Sequence, residues 1–185
     1  MKKTVLTFGL ISGVISAALM LAMVPFIYRI GFDKGMIVGY TSIVISLLLV
    51  PFGIWSYRED DGEGSITFAR AFAVGILITL ISCICYVLAW EIVYYNFLPD
   101  FADKYSAYMV EKAKASGATQ QVIDATLQET KSMKAMLDNP LIFAAIGFTE
   151  PFPVGLIITT ISAVILRKKP RSKDREEVVT PVFNS

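Results

Sequence analysis

The chain has 185 residues, of which 55% are hydrophobic and 18% are charged, whereas soluble domains carry about 25% charged residues. The formal net charge is +1, so no global field favours binding to nucleic acid. The absence of histidine excludes His-ligated metal sites and His-based catalytic triads. This composition indicates that lipid is part of the solvent, and it predicts no metal site and no cofactor.

Four long apolar stretches predict an all-α membrane protein built as a four-helix transmembrane bundle. A helix needs about 20 residues to cross about 30 Å of hydrocarbon. The first stretch follows Met1-Lys2-Lys3, as a cleaved signal peptide would, but it is longer than the roughly 7–15 apolar residues of such peptides. We therefore predict that it is retained as a helix. The predicted spans are 5–27, 36–57, 68–97 and 141–166.

The positions of Lys and Arg predict the orientation of these spans. Lys2, Lys3, Arg58 and Arg70 lie on the side that carries both termini. Positively charged flanking segments favour the cytoplasm, so we expect both termini there. Residues 170–185 are expected to form a disordered cytoplasmic tail. Anionic lipid headgroups are the expected partners of the basic cluster that precedes and enters it, formed by Arg167, Lys168, Lys169 and Arg171.

Residues 99–139, between spans three and four, are polar but patterned. Phe101, Tyr105 and Tyr108 share one side of a predicted helix over 100–115, and Thr119 is placed to cap a second helix that ends before Asn139-Pro140. We therefore expect an extracytoplasmic helical segment. Its role is either that of a solvated spacer or that of a lid over a binding cavity.

Small residues recur every four positions in three of the spans, which permits close contact between helices in lipid. Packing within one chain is one interpretation, and a homo-oligomer formed through one stripe is the other. The two cysteines, Cys83 and Cys85, do not share a helix face and are predicted to be inert thiols. The stripes begin at Gly9-x-x-x-Gly13, Gly75-x-x-x-Thr79 and Gly147-x-x-x-Pro151-x-x-x-Gly155.

Two acidic residues, Glu91 and Glu150, interrupt the apolar stretches. Glu91 follows Ala71 by twenty residues, which places it about 30 Å along the helix, near the outer boundary of the hydrocarbon. Glu150 is sixteen residues before Leu166 and therefore about 6 Å inside the same boundary. Arg29 ends span one at a similar height. The three side chains predict either an ion pair that fixes helix order or a site for a proton or cation.

Two prolines follow Glu150 directly, in Glu150-Pro151-Phe152-Pro153. A proline inside a helix removes a backbone hydrogen bond and clashes with the preceding turn. A broken helix within the membrane is tolerated where it is buried in protein or lines a water-filled cavity. Pro151 and Pro153 therefore join Glu150, Glu91 and Arg29 in the candidate polar site.

Several segments together resemble a known family of small bacterial membrane proteins, the domain of unknown function 4199. The resemblance extends over residues 4–169 and implies four spans in a bacterial inner membrane. It implies no activity, cofactor or catalytic residue. The segments are 8–13 (FGLISG), 53–59 (GIWSYRE), 66–72 (ITFARAF), 90–95 (WEIVYY) and 150–157 (EPFPVGLI).

Two functions follow from these patterns. The first is a non-enzymatic structural or accessory protein of the inner membrane, because no catalytic constellation is present. The second is a small ion- or proton-coupled transporter that uses the Pro-broken fourth helix around Glu150. An intramembrane enzyme is not favoured, since the predicted spans contain no histidine, no GxSxG turn and no aspartate.

Overall fold

A computed structural model describes residues 1–168, which form nine α-helices and no β-strand. The predicted tail over 170–185 lies outside these residues, as do Lys169 and Arg171 of the basic cluster. A 3₁₀ turn, Val24–Phe26, joins the first two helices. The helices are α1 (Lys2–Met23), α2 (Ile27–Ile30), α3 (Phe32–Leu47), α4 (Leu49–Asp60), α5 (Phe68–Phe97), α6 (Phe101–Ala115), α7 (Gln120–Leu137), α8 (Pro140–Phe148) and α9 (Pro151–Leu166).

Four helical segments in the described part of the chain are long and apolar enough to cross a membrane. They are Lys2–Ile30, Phe32–Asp60, Phe68–Phe97 and Pro140–Leu166. Large apolar side chains remain exposed on them, as lipid contact requires; Ile165 is 72% exposed. The prediction of an all-α, four-span membrane bundle is confirmed.

The turn between spans one and two is shorter than predicted. Helix continues on both sides of it, so that Gly31 alone separates α2 from α3. Gly31 has a φ of +83°, a conformation that costs glycine little and other residues more. Arg29 lies on the short helix α2, at the end of span one as expected.

Three of the spans are interrupted, each beside a proline, and span one breaks at the 3₁₀ turn that contains Pro25. Span two breaks at Leu48, because Pro51 has no N–H to donate to the carbonyl of Leu47. Span four breaks at Thr149 and Glu150, directly before Pro151, as the sequence predicts. Span three, α5, runs for 30 residues without a break.

Helix α5 stands at the centre of the bundle and packs against α1, α4, α8 and α9. Glycine permits the closest approaches. Gly9 of α1 lies against Ile81, and a Cβ placed on Gly9 would come within 2.8 Å of the Ile81 Cβ. Gly13 lies against Cys85 in the same way, and Gly155 of α9 lies against Thr79. These small-residue stripes are occupied by contacts within the chain.

Hydrogen bonds join the helices where the apolar surface is interrupted. The hydroxyls of Thr79 and Thr159 lie 3.1 Å apart between α5 and α9. The Ser12 hydroxyl donates to the carbonyl of Ser46 across 2.7 Å and links α1 to α3. Pairing of this kind satisfies polar groups that lipid cannot solvate.

The end of the bundle that carries Met1 and Lys168, called the terminal end below, is fastened by backbone contacts. Ile66 and Lys168 exchange two backbone hydrogen bonds of 2.9 Å each, which ties the start of span three to the end of span four. The Arg58 guanidinium donates to the carbonyl of Leu166 at 3.4 Å, which adds span two.

Helices α6 and α7 form an antiparallel pair, called the hairpin below, at the opposite end of the bundle. Gly117 turns the chain between them with a φ of +74°. Lys134 donates to both carboxylate oxygens of Asp103, at 2.6 and 2.7 Å, and holds the two helices together. The predicted helices are confirmed, although the Thr119 side chain makes no capping hydrogen bond. The Asn139 side chain does cap α8, accepting from Leu141 N–H at 3.0 Å.

Candidate functional site

A cavity of about 570 Å³ lies between the hairpin and the ends of the four spans beneath it. Small-molecule sites in proteins typically measure about 300–1,000 Å³. The cavity is lined by α1, α3, α5, α6, α7 and α8, so none of these elements forms it alone. Its volume lies within that range, and the hairpin and the spans together enclose it.

Aromatic side chains form much of its wall. Trp90 and Tyr94 project from α5 one turn apart, with their ring centroids 6.4 Å from each other. Phe143 of α8 meets both rings, at 6.2 Å from Trp90 and 4.8 Å from Tyr94. Phe101 of the hairpin stands edge-on to Trp90 at 5.6 Å. Edge and tilted contacts of this kind favour a fixed arrangement of rings.

Methionine forms a further part of the apolar wall, beside aliphatic residues such as Ile27 and Leu137. Five of the seven methionines in the chain line the cavity, from α1, α3, α6 and α7. Methionine side chains are flexible and polarisable, so a surface made from them adapts to ligands of different shape. The methionines are Met20, Met23, Met36, Met109 and Met133.

At one point of this wall a tyrosine and a carboxylate meet. The Tyr86 hydroxyl of α5 donates to Glu150 Oε2 across 2.6 Å, and both residues line the cavity. Glu150 is half-buried and occupies the break between α8 and α9. Because Pro151 and Pro153 carry no N–H, the helical bonds to the carbonyls of Gly147 and Thr149 cannot form there.

The structure does not bring together all of the predicted polar residues. Arg29 is exposed on α2, and among residues 1–168 it forms no ion pair with Glu91 or Glu150. Glu91 is half-buried and does not line the cavity. Residue counts along the spans predict similar heights in the membrane for the three side chains. The side chains lie apart because they project from different faces of their helices. The expected ion pair is therefore replaced by the bond from Tyr86.

Tyr86 was not singled out in the sequence, although a signal for it exists. Tyr86, Trp90 and Tyr94 follow one another at intervals of four residues and so share one face of α5. Glu91 is one position out of register with that face. All three aromatic residues of this stripe line the cavity, whereas Glu91, which the sequence singles out, does not.

Ion pairs attach the hairpin beside the cavity. Lys112 of α6 donates to both oxygens of Asp33 on α3, at 2.8 and 2.9 Å. These hydrogen bonds, and then the contact with Tyr108, raise the pKa of Lys112. The bonds to Asp103 raise the pKa of Lys134 in the same way. The Lys104 ammonium lies 3.9 Å from the ring centre of Tyr28, a cation–π contact between the hairpin and span one.

A family profile described as "Protein of unknown function (DUF4199)" matches residues 7–168. The chain belongs to this family. The DUF4199 match includes the hairpin and nearly all of the four spans, and hence both Tyr86 and Glu150. No curated protein and no solved structure matches the chain.

The site of this DUF4199 protein combines a large apolar surface with few polar groups. Four charged side chains line it, namely Asp33, Lys112, Lys134 and Glu150. Lys112 and Asp33 neutralise each other, and Lys134 is paired with Asp103. Such a cavity can enclose an apolar molecule and orient it through Glu150 and the Tyr86 hydroxyl.

Proposed function

We propose that this protein is a non-enzymatic accessory protein of the membrane that binds a small apolar ligand in the cavity under the hairpin. The observation that supports this is the cavity wall itself, which is built from aromatic and methionine side chains. An apolar wall with a few placed polar groups is typical of a binding site.

The proposal includes a place in the cell. We propose a bacterial inner membrane with both termini in the cytoplasm, which puts the hairpin and the cavity on the extracytoplasmic side. Support comes from the clustering of Lys and Arg at the terminal end. A ligand would then reach the cavity from the outer leaflet or from the space beyond it.

Two of the hydroxyl groups along the wall, those of Ser42 and Thr130, support a role in binding rather than catalysis. Ser42 donates to the carbonyl of Val38, and Thr130 pairs with the hydroxyl of Ser106 and with carbonyls of its own helix. Within residues 1–168 neither hydroxyl is bonded to a base that would activate it as a nucleophile.

The chain offers a direct test, because it contains two tryptophans and only Trp90 lines the cavity. In a Trp55→Phe background, Trp90 fluorescence reports on occupancy. We expect the neutral quencher 1-bromo-4-tert-butylbenzene to quench it saturably. Gly39 lines the cavity and has no neighbouring side chain near its Cβ position, so Gly39→Leu should fill the space and weaken the quenching.

The matched control is Thr41→Leu, on the same helix but outside the cavity. It places the same leucine side chain at an exposed position, in exchange for threonine, so the titration should remain unchanged. Quenching that rises linearly with probe in every variant would mean that the probe merely dissolves in the detergent. The cavity would then not be a binding site.

A second candidate function is ion- or proton-coupled transport, which the helix break at Glu150 favours. Several coupled carriers bind their substrates and ions where a transmembrane helix is interrupted, and here Glu150 lies at such an interruption and lines the cavity. In proteoliposomes with an entrapped pH dye, a potential-driven proton flux should be lost in Glu150→Gln and kept in Glu91→Gln. Equal flux in both variants, or none in the parent protein, would remove this candidate.

A further inference from the structure

We infer that the cavity takes an organic monocation with an apolar body, whose positive charge pairs with Glu150. The inference rests on the proposed function and adds the chemical class of the ligand.

Three of the four charged groups are accounted for by ion pairs within the protein. Lys112 is held 2.8 Å from Asp33, and Lys134 is held 2.6 Å from Asp103. Glu150 is the remaining charged group. In the described part of the chain no Lys or Arg nitrogen lies within 4.0 Å of its carboxylate. The cavity therefore has one carboxylate that no protein cation neutralises.

The carboxylate also has an open position. Tyr86 donates to Oε2, while Oε1 accepts no hydrogen bond from any residue between 1 and 168. A single hydrogen bond from a hydroxyl orients the carboxylate without cancelling its charge. A carboxylate in apolar surroundings is costly unless a positive charge pairs with it, so a cationic ligand gains more here than a neutral ligand of the same shape.

Beyond the carboxylate of Glu150, the wall of the site is formed by aromatic side chains of α5. Gly147, one turn before Glu150, lies beside Trp90, and its Cβ position is 3.8 Å from the indole Cδ1. Tyr86, Trp90 and Tyr94 extend along one face of α5 for about 12 Å, since a helix rises 1.5 Å per residue. Aromatic rings attract cations and pack against apolar bodies. A monocation with an aromatic or branched alkyl body fits this site, because its charge can pair with Glu150 while its body packs against the aromatic rings.

The alternative is a site that binds apolar ligands by shape and does not distinguish them by charge. Two isosteric probes separate these cases. (4-Bromophenyl)trimethylammonium and 1-bromo-4-tert-butylbenzene have the same shape and the same quenching bromine. They differ in the central atom of the trimethyl group, which is a positively charged nitrogen in the first and a neutral carbon in the second. Both are titrated against Trp90 fluorescence in the Trp55→Phe protein in neutral detergent.

We expect the cation to bind at least about tenfold more tightly than its neutral isostere, the size of one desolvated contact of a quaternary ammonium group. Glu150→Gln should abolish that preference. Glu91→Gln is the matched control, because it removes the same charge from a half-buried residue next to Trp90 but outside the cavity.

Each other outcome is decisive. Equal affinity for the two probes in the parent protein overturns the inference, and so does a preference that survives Glu150→Gln. If the neutral probe saturates and responds to Gly39→Leu while the cation shows no advantage, the cavity binds ligands but not by charge. If neither probe saturates, the proposed function fails as well.

Discussion

The Tyr86 hydroxyl reaches across from span three to Glu150 in span four, and the two oxygens are 2.6 Å apart. The bond joins an unbroken helix to the point where its neighbour is broken. It therefore contributes both to the wall of the cavity and to the packing of the bundle, and it can be tested separately in each role.

Removing the hydroxyl should weaken the fold slightly. Side-chain hydrogen bonds within membrane proteins contribute about 0.6 kcal/mol on average, and bonds to charged groups contribute more. We expect Tyr86→Phe to lower the free energy of unfolding by about 1 kcal/mol in a reversible denaturant titration in mixed micelles. Tyr40→Phe is the control, since the Tyr40 hydroxyl makes no hydrogen bond with residues 1–168. Equal losses in both variants would contradict the assigned bond.

The contact between α1 and α5 depends on the absence of a side chain at Gly13. A Cβ there would overlap the Cβ of Cys85, an atom that cannot rotate away. We expect Gly13→Ala to destabilise the protein by about 1–3 kcal/mol, the usual cost of overpacking. Gly39→Ala is the matched control, because it meets no neighbour within 4 Å and gains helix propensity. A Gly13→Ala protein as stable as the control would show that the helices lie further apart.

Alkaline pH should loosen the hairpin. The Lys112 pKa is raised above the ordinary lysine value of 10.5, chiefly by its bonds to Asp33. The stabilisation from this pair is therefore complete below pH 10.5 and is lost as the pH rises through the raised pKa. Spin labels at Lys34 and Gln121, in a background without the two cysteines, should show a narrow distance distribution that broadens in this range.

The same labels test the pair at neutral pH. Lys112→Met should broaden the distribution without releasing the hairpin, because exposed ion pairs contribute little and the aromatic contacts remain. Lys114→Met removes an exposed lysine on the same helix that has no ion pair with residues 1–168. It should leave the distribution as it was, and broadening by both variants would point to a general charge effect.

Reporter fusions test the orientation. With the termini in the cytoplasm, a green fluorescent protein fused after Gly64 should fluoresce, and an alkaline phosphatase fused after Gly117 should be active. Activity in the reverse pattern would place the hairpin in the cytoplasm. The same compartment for both fusions would contradict the four-span topology.

Features that depend on local sequence could be predicted closely. The helix expected over 100–115 is found at Phe101–Ala115, because Gly117 supplies a stop that does not depend on the rest of the fold. The break at Glu150 follows from Pro151 for the same reason. Span lengths were underestimated at the first turn, since hydropathy measures the apolar part of a helix whereas α2 and α3 continue to Gly31.

Features that depend on how helices face one another could not be predicted. Counting residues gives the height of Arg29, Glu91 and Glu150, but not the direction in which each side chain points. The partner of Glu150 is set by the contact of α5 with α8 and α9. The cavity depends on a further step, the docking of the hairpin onto the bundle through Phe32 and Asp33.

The cap at Asn139 starts the fourth span almost directly after the hairpin. Only Asp138 and Asn139 separate α7 from α8, and α8 is nine residues long. The hairpin is thus connected through α8 to the break at Thr149 and Glu150. Beyond the break, α9 leads to the terminal end, where the backbone contacts hold it. The hairpin that covers the cavity and the carboxylate that lines it are therefore connected through a single nine-residue helix, α8.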